Sequence, residues 1–356
     1  MKRESPPGPV ASARAGGAAI SGLFWLFGLS LLLLPFLGAR DGLDPEGQDF
    51  ARAEDDIPYA EDVANFDEEL GGQLDGTLAA LLEESSEDWF AFDSDRLRDS
   101  GAFQVGLLER GRLAYGVHCV GCHGSIGDGA GPAAALLAPR PRNFREGLFK
   151  FTSTEAGQRP RRRDLFQTLT RGLAGSSMPE FSLLPEQVRW DLVEFVRWLG
   201  ARGEFQQLML DSAWEEEELP DAAELAELVY ERWDPDRLRV LYPGVAETED
   251  DAASVERGRL LFNDLSAANC AACHGPTGRG DGPTAGDYLD DWGYPIRPRD
   301  LAAGNFRAGS EAADLYRTIA GGIKGTPMGS FAGALSSEDI WDLVHFVQSL
   351  SETSDR

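Results

Sequence analysis

All four cysteines of the chain lie in two short stretches, and in each stretch a histidine directly follows the second cysteine. The first stretch reads CVGCH over residues 119–123, and the second reads CAACH over residues 270–274. Two thiols and an imidazole at this spacing suit a closed zinc site, a disulfide, or covalent attachment of haem. One copy of so short a pattern is only suggestive, so the surrounding sequence has to discriminate among the three.

The two stretches occupy matching places in an internal repeat. DLFQTLTRGLAGSSMPEF (164–181) aligns without gaps with DLYRTIAGGIKGTPMGSF (314–331), at an offset of 150 residues. WDLVEFVRWL (190–199) likewise aligns with WDLVHFVQSL (341–350). Two homologous domains are the simplest account of this repeat, and a duplicated motif is a much stronger signal than a single one.

The haem interpretation requires one more iron ligand elsewhere in the chain, which a zinc site or a disulfide does not require. The two thiols add to one edge of the porphyrin, the following histidine lies beneath the iron, and a sixth ligand, usually Met or His, is needed. Of the four methionines, only Met178 and Met328 lie at matched positions in the repeat. A zinc site would leave them without a role, and disulfides would explain neither the histidines nor the repeat.

The sequence therefore predicts two covalently bound haem c groups. The thioether, proximal and distal residues are Cys119, Cys122, His123 and Met178 in the first site, and Cys270, Cys273, His274 and Met328 in the second. The metal ligands among them are the two histidines and the two methionines.

Charge is distributed unevenly along the 356 residues, whose net charge is -27. Residues 41–100 carry a net charge of -17 and residues 204–256 one of -14, whereas residues 101–203 carry +5. An acidic segment thus precedes each of the two cysteine-containing segments. The changes in charge predict domain boundaries near residues 101, 203 and 256. So acidic a chain would repel phosphates, which argues against nucleic-acid binding.

The segment 18–39 is uncharged and, at 22 residues, long enough to cross a bilayer as a helix. Lys2, Arg3 and Arg14 precede it and an acidic run follows, so the positive-inside rule places the N-terminus in the cytoplasm. A cleaved signal peptide is the alternative, although its apolar region is normally shorter. Either interpretation sends the rest of the chain to the non-cytoplasmic side.

Hydrophobic periodicity predicts an all-α fold with long loops rich in glycine and proline. The predicted helices are 110–117, 164–173 and 185–199 in the first repeat, and 257–265, 314–323 and 337–350 in the second. The acidic spacer before residue 101 is predicted to be largely flexible. The connector after residue 203 contains the helix-like LAELVYERW, so it is either a flexible segment or an ordered one that packs on both repeats.

Each repeat resembles a class I cytochrome c domain. The resemblance is carried by Gly111-x-x-x-Tyr115 before CVGCH, SMPEF and WDLVEFV, and in the second repeat by Gly258-x-x-x-Phe262 before CAACH, TPMGSF and WDLVHFV. It implies that the first and last helices of each domain cross at these glycines, against Trp190 and Trp341 or their neighbours.

The same resemblance implies further groups around each haem. Arg142 and Arg299, in the two RPR motifs, are the expected partners of the haem propionates. Carbonyl groups at Pro132 and Pro283 are expected to orient the histidine rings.

The whole chain is similar to diheme, membrane-anchored c-type cytochromes. The predicted domains are a cytoplasmic N-terminus (1–17), the anchor (18–39), an acidic spacer (40–100), a first cytochrome c domain (101–203), an acidic, partly helical connector (204–253) and a second domain (254–356). The fold class is all-α, with two tandem cytochrome c-like haem domains behind an N-terminal transmembrane helix.

The resemblance implies electron transfer between a membrane respiratory or dehydrogenase complex and a terminal oxidase or soluble carrier. The chain is expected to be an electron carrier and not an enzyme, alone or as a subunit of an oxidoreductase complex. Its expected partners are that redox complex or a soluble redox protein, together with the lipid bilayer. Its expected place is the bacterial cytoplasmic membrane, single-pass, with the haem domains on the periplasmic side. A diheme peroxidase with one labile haem ligand is the alternative.

Two further features of the sequence, a basic cluster and a histidine, allow more than one role. The basic cluster 159–163 is either a solvated loop, a docking patch for an acidic redox partner, or a partner of the protein's own acidic connector. His345 stands where the first repeat has Glu194 and is expected to be a surface or packing residue.

Overall fold

The computed structural model describes residues 70, 72–74, 101–216, 219–241 and 243–352. The predicted anchor, residues 18–39, lies outside the described residues, as do the predicted cytoplasmic N-terminus and most of the acidic spacer. Within the described ranges, no helix is long and apolar enough to cross a membrane.

The described ranges fold into helices and loops and contain no β-strand, apart from two isolated bridges. In the first repeat (101–203) and the connector, the helices are α1 (Val105–His118), α2 (Val120–His123), α3 (Arg162–Arg171), α4 (Glu186–Glu216) and α5 (Ala222–Trp233). In the second repeat (254–356), they are α6 (Ala252–Asn263), α7 (Ala271–His274), α8 (Ala312–Gly321) and α9 (Ser337–Glu352). Short 3-10 helices cover Ala134–Leu136 and Pro235–Arg237. The all-α prediction is confirmed for this part of the chain.

Each repeat is built on a crossing of its first and last long helices, α1 with α4 and α6 with α9. A Cβ atom on Gly111 would overlap the backbone carbonyl of Asp191, and one on Gly258 would overlap that of Asp342. The backbones approach this closely because glycine has no side chain. The expected crossing is therefore present, and the residues at the contact are neighbours of Trp190 and Trp341.

A bidentate ion pair fixes both crossings at the same point. Arg110 donates from Nε and Nη2 to the carboxylate of Asp191, at 2.9 Å for each bond. Arg257 does the same to Asp342 at 2.7 and 2.8 Å. Both aspartates are buried. A planar guanidinium that bonds both oxygens of such a carboxylate stabilises the crossing of the two helices.

Helix α4 runs well past the predicted end at residue 199. Phe205, Met209 and Ala213 continue its apolar face at helical spacing, and all three are almost completely buried. The predicted boundary at residue 203 therefore falls inside a helix, because burial of this second stretch keeps the helix intact. The connector helix α5 packs Val229 and Trp233 into the same core.

The connector also contacts the second repeat. Gly244 donates its backbone N–H to Ser337 Oγ at 2.8 Å, and Trp341 Nε1 donates to the Val245 carbonyl at 3.2 Å. The connector is thus the ordered alternative, packed on both repeats. The acidic spacer also contributes to the first core, since Leu74 is completely buried there, and the flexible-spacer prediction does not hold at this residue.

The two repeats belong to one compact unit and face each other through α3 and α8. Arg171 Nη1 lies 2.6 Å from Asp314 Oδ2, and Arg317 Nη1 donates to Gln167 Oε1 at 3.2 Å. Residues 167 and 317 are equivalent in the repeat, so matching positions of the two copies meet. This is the contact pattern of a two-fold arrangement.

Candidate haem sites

A one-turn helix presents the cysteine and histidine side chains in each repeat. His123 N–H donates to the Cys119 carbonyl at 2.9 Å, and His274 N–H donates to the Cys270 carbonyl at 2.8 Å. In a helical turn, positions i, i+3 and i+4 lie on one face. Both thiols and the imidazole of each motif therefore project from the same side of the chain.

A backbone carbonyl holds each histidine ring. His123 Nδ1 lies 3.0 Å from the Arg142 carbonyl, and His274 Nδ1 lies 3.0 Å from the Arg299 carbonyl. A carbonyl only accepts, so Nδ1 carries the proton and Nε2 keeps the lone pair that an iron atom needs. The predicted carbonyls of Pro132 and Pro283 are not the partners; the RPR loops supply them instead.

Burial keeps both imidazoles in the form that binds metal. Removal from water lowers the pKa of His123, and the positive charge of Arg142 lowers it further, although the hydrogen bond to the carbonyl opposes both. Burial also lowers the pKa of His274. A neutral ring with a fixed tautomer is the state in which a histidine serves as a ligand.

The four thiols are free, so no disulfide closes either motif. Burial raises the pKa of Cys119 to about 12 and that of Cys270 to about 11, which makes both sulfur atoms poor spontaneous nucleophiles. Among the described residues, no group of three or more His, Cys, Asp or Glu side chains could hold a metal ion. The zinc alternative therefore has no ligand set in that part of the chain.

The two methionines lie in loops with the same hydrogen bonds. Leu173 N–H donates to the Met178 carbonyl at 3.1 Å, and Ile323 N–H donates to the Met328 carbonyl at 2.9 Å. Each loop begins at a glycine with positive φ, Gly172 at 64° and Gly322 at 68°. A side chain on Gly172 would also collide with the Pro179 backbone, so this turn requires glycine twice over.

The surroundings of the first motif fit a haem group. Met178 packs against the apolar cluster that contains Cys119, so the predicted distal ligand and one thiol border the same core. Phe144 stacks on the His123 ring with 4.4 Å between ring centres, and the Tyr115 hydroxyl donates to the Gly124 carbonyl at 2.9 Å. Free thiols, an oriented imidazole and a thioether loop are the donor set that covalent haem requires.

Arg142 and Arg299 lie beside the histidines through their carbonyl groups, and their side chains have protein partners. The Arg142 guanidinium lies over the Trp292 ring, 3.4 Å from its centre. Arg299 Nε donates to the Asn305 carbonyl at 2.8 Å, and its Nη2 donates to the Ala174 carbonyl at 3.2 Å. Their role on haem propionates stays a prediction.

The basic cluster 159–163 is tied to carboxylates of α4. Arg159 Nε donates to Glu204 Oε2 at 2.7 Å, and Arg162 Nε donates to Glu194 Oε2 at 2.9 Å. These ion pairs favour the intramolecular alternative over a patch reserved for a partner. His345, expected to be a surface or packing residue, is fully buried with Nδ1 2.7 Å from Ser254 Oγ.

Sequence reasoning missed the residues that join the two repeats, above all Trp292 and Lys324. Trp292 packs on Gly325 beside the second methionine loop, and Lys324 Nζ donates to Thr154 Oγ1 at 2.9 Å. The sequence did contain one signal. Arg140 lies eight residues after Pro132, whereas Arg297 lies fourteen residues after Pro283. The added segment carries Trp292.

Two helical repeats, each with paired thiols, a carbonyl-held imidazole and a methionine loop, define a protein built to attach haem covalently. The cytochrome c family model matches residues 108–200 and 255–351, together more than half of the chain. The chain therefore belongs to the cytochrome c family, which implies covalently bound haem c.

A solved structure supports the same assignment. A chain of the Kuenenia stuttgartiensis reducing HAO-like protein complex is similar to this chain, with a TM-score of 0.55 and 30% sequence identity. The likeness covers 68% of this chain and 96% of that one. No curated protein matches this sequence.

The likeness corrects one prediction. The expectation that the chain is a carrier and not an enzyme is wrong as it stands, because the similar chain is part of a reducing HAO-like protein complex. Cytochrome c repeats occur both in free carriers and within redox enzymes, so the fold alone does not separate the two roles. The haem c redox character of the chain is unaffected by this correction.

Proposed function

We propose that this chain is a two-haem c-type cytochrome that transfers electrons as a component of a larger redox complex. The observation that carries the proposal is the duplication of the complete donor set in one compact unit. Both repeats offer two thiols, an imidazole whose Nδ1 is bound to a carbonyl, and a methionine in a loop of identical hydrogen bonding.

Bound haem would supply reversible one-electron chemistry at iron, tuned upward in potential by a His/Met ligand pair. The protein's own residues would hold the iron ligands in place. The carbonyls of Arg142 and Arg299 prevent the imidazoles from rotating or accepting a proton at Nδ1. The methionine loops are closed by backbone hydrogen bonds, which favours ligands that stay in place over ligands that exchange.

Contact between the repeats supports transfer of electrons within the molecule. Both methionine loops lie where the repeats meet: Ala174 accepts from Arg299, and Lys324 donates to Thr154. An electron that enters one repeat would therefore have a short path to the other, because the two repeats are in contact.

The proposed setting is the outer face of a bacterial cytoplasmic membrane. The uncharged segment 18–39 would be the anchor, and the haem repeats would lie on the periplasmic side, where thiols can be joined to haem. The proposed partner is a membrane redox complex or a soluble redox protein. Membership of the similar solved chain in a protein complex supports a partner of this kind.

The proposal is tested with the full chain, co-expressed with haem-maturation machinery. We expect two covalent haems per chain, two redox steps, and no carbon monoxide binding by the reduced protein, because both irons carry two protein ligands. Met178→Ala and Met328→Ala should each open one haem to carbon monoxide and lower its potential.

Two outcomes would contradict the proposal. Fewer than two haems would remove the paired sites. Ready carbon monoxide binding by one haem of the unaltered protein would instead favour the peroxidase-type alternative, since that chemistry requires an open or displaceable face at one iron.

A further inference from the structure

The loop that carries Met178 is held from outside its own repeat. Arg299 Nη2 donates to the Ala174 carbonyl at 3.2 Å, and Arg307 Nη2 donates to the Gly175 carbonyl at 3.3 Å. Both arginines belong to the second repeat. The loop carbonyls that would otherwise face solvent are therefore satisfied by guanidinium groups of the other copy.

Arg299 contacts both sites at once. Its carbonyl accepts the hydrogen bond from His274 Nδ1 at 3.0 Å, while its side chain reaches the first methionine loop. Its Nε donates to the Asn305 carbonyl at 2.8 Å, which fixes the plane of the guanidinium. One residue thus joins the proximal side of the second site to the distal loop of the first.

The guanidinium lies directly over Gly175. This glycine has a φ of 69°, and a Cβ atom placed on it would lie 2.7 Å from Arg299 Nη2. A residue with a side chain would have to displace the arginine. The cross-repeat hydrogen bond therefore depends on a glycine at this position.

The second methionine loop is supported by different groups. Lys324 Nζ donates to Thr154 Oγ1 at 2.9 Å and to the Gln158 carbonyl at 2.7 Å. Arg142, the equivalent of Arg299, stacks on Trp292, which in turn packs on Gly325. Arg299 hydrogen-bonds directly to the opposite methionine loop, whereas Arg142 reaches the other loop through the Trp292 ring, so these two equivalent arginines are not interchangeable.

We propose that Arg299 is a positioning residue that holds Met178 on the first iron from the second repeat. This rests on the proposed function, because Met178 is there the distal ligand. Without the guanidinium, the Ala174 carbonyl loses its hydrogen bond and only the bond from Arg307 to Gly175 remains. The loop then opens more often, and Met178 leaves the iron for a larger fraction of the time. Because a His/Met pair raises the potential, loss of the methionine lowers it at the first haem.

The test uses the full chain with both haems, redox potentiometry and carbon monoxide binding to the reduced protein. Arg299→Gln should lower the potential of the first haem and allow carbon monoxide to bind there. The second haem should stay closed to carbon monoxide, because the loop of Met328 is supported by other groups. Arg297→Gln is the matched control, because it removes the same charge from an exposed position two residues away. Met178→Ala identifies which haem belongs to the first site. Haem content and thermal unfolding confirm that each variant is folded.

Arg299→Lys separates geometry from charge. An ammonium keeps the positive charge but lacks the planar fork that reaches the Ala174 and Asn305 carbonyls together. We expect this variant to bind carbon monoxide at the first haem, to a smaller extent than Arg299→Gln. Two results would overturn the positioning role. The first is an Arg299→Lys protein that binds no carbon monoxide, and the second is equal carbon monoxide binding and equal potentials in Arg299→Gln and Arg297→Gln.

Failure of the underlying assignment has a separate signature. If Met178→Ala leaves both potentials and carbon monoxide binding as in the unaltered protein, Met178 is not a ligand and the proposed function fails. If Met178→Ala opens the first haem but Arg299→Gln affects only the second, the ligand assignment stands and the role of Arg299 is overturned.

Discussion

The two candidate haem sites have the same backbone arrangement and differ in the residues that surround it. In the first site, Phe144 stacks on the histidine and the Tyr115 hydroxyl donates to a carbonyl of the motif loop. In the second, Leu301 and Phe262 stand at these places, and neither can repeat those contacts. The first site therefore has a stacking contact on His123 and a loop hydrogen bond that the second site lacks. The hydrogen bond between histidine and carbonyl is the same in both.

The difference extends to the outer core. Glu194 in the first repeat is buried and bonded to Arg162, and its Oε2 lies 3.1 Å from Arg197 Nη1. His345, at the equivalent position, bonds instead to Ser254. The first repeat also gains the core formed with α5, which has no counterpart among the described residues of the second. A common fold thus accommodates a buried glutamate paired with arginines in one copy and a histidine bonded to a serine in the other.

The largest effect is expected at the helix crossings. Gly258→Ala should unfold the second repeat, because the new methyl group would overlap the Asp342 carbonyl. We expect a cost of about 3 kcal/mol or more, at or above the usual range for overpacking. Gly106→Ala is the control, since a Cβ atom placed on that helical residue would meet no atom within 4 Å outside its own stretch of helix. Calorimetry should show one transition shifted and the other retained; joint loss of both would mean that the repeats do not unfold separately.

Removing the charged network is the next largest change. Glu194→Gln leaves Arg197 buried without its carboxylate, so we expect a loss of about 3 kcal/mol from the first repeat. His345→Gln removes one hydrogen bond and should cost about 1 kcal/mol. Urea unfolding, monitored at each haem, compares the loss in free energy of unfolding caused by the two substitutions. Equal losses would show that the two networks contribute equally to stability.

Glu194 also makes the first repeat sensitive to acid. Burial alone would raise the pKa of Glu194, but hydrogen bonds from Arg162 and the charge of Arg197 hold it below its ordinary value. A depressed carboxyl pKa contributes stability above the unfolded value that is lost as the pH falls through the folded one. The free energy of unfolding should therefore drop less steeply below about pH 4.5 in Glu194→Gln than in the unaltered protein. Identical acid limbs would contradict this.

Phe144→Leu makes the first site resemble the second. Loss of the stacked ring should cost about 1–2 kcal/mol and loosen the His123 ring. The reverse substitution, Leu301→Phe, is the matched variant. If Phe144→Leu changes neither stability nor the potential of the first haem, the stacking contributes nothing to the difference between the sites.

The smallest expected effect lies between the repeats. Burial lowers the pKa of Lys324 to about 8. Between pH 8 and the unfolded value near 10.5, the unfolded lysine holds a proton that the folded one has lost, so stability rises with pH. The full shift from 10.5 to about 8 corresponds to about 3 kcal/mol, and because the ammonium is only partly buried, solvent screening reduces the expected gain to about 1 kcal/mol. The gain should be absent in Lys324→Gln. Parallel pH profiles for the two proteins would rule out this contribution.

The sequence was sufficient wherever function required matched residue types. The paired motifs, the methionine positions and the crossing glycines could all be predicted because each depends on a side chain, or on the lack of one, at a fixed spacing. The partner of each histidine could not, since a carbonyl has no sequence signature and the RPR loops approach only in three dimensions. The length of α4 and the roles of Trp292 and Lys324 were likewise hidden, because they depend on how the repeats and connector pack.

The meeting of residues 167 and 317 has a consequence for how such a junction can evolve. In a homodimer, equivalent positions facing each other must carry the same side chain, so an arginine there would oppose its own copy and repel it. Joining two copies in one chain removes that restriction. Gln167 now accepts a hydrogen bond from Arg317, a pairing that no symmetric dimer could form at this position.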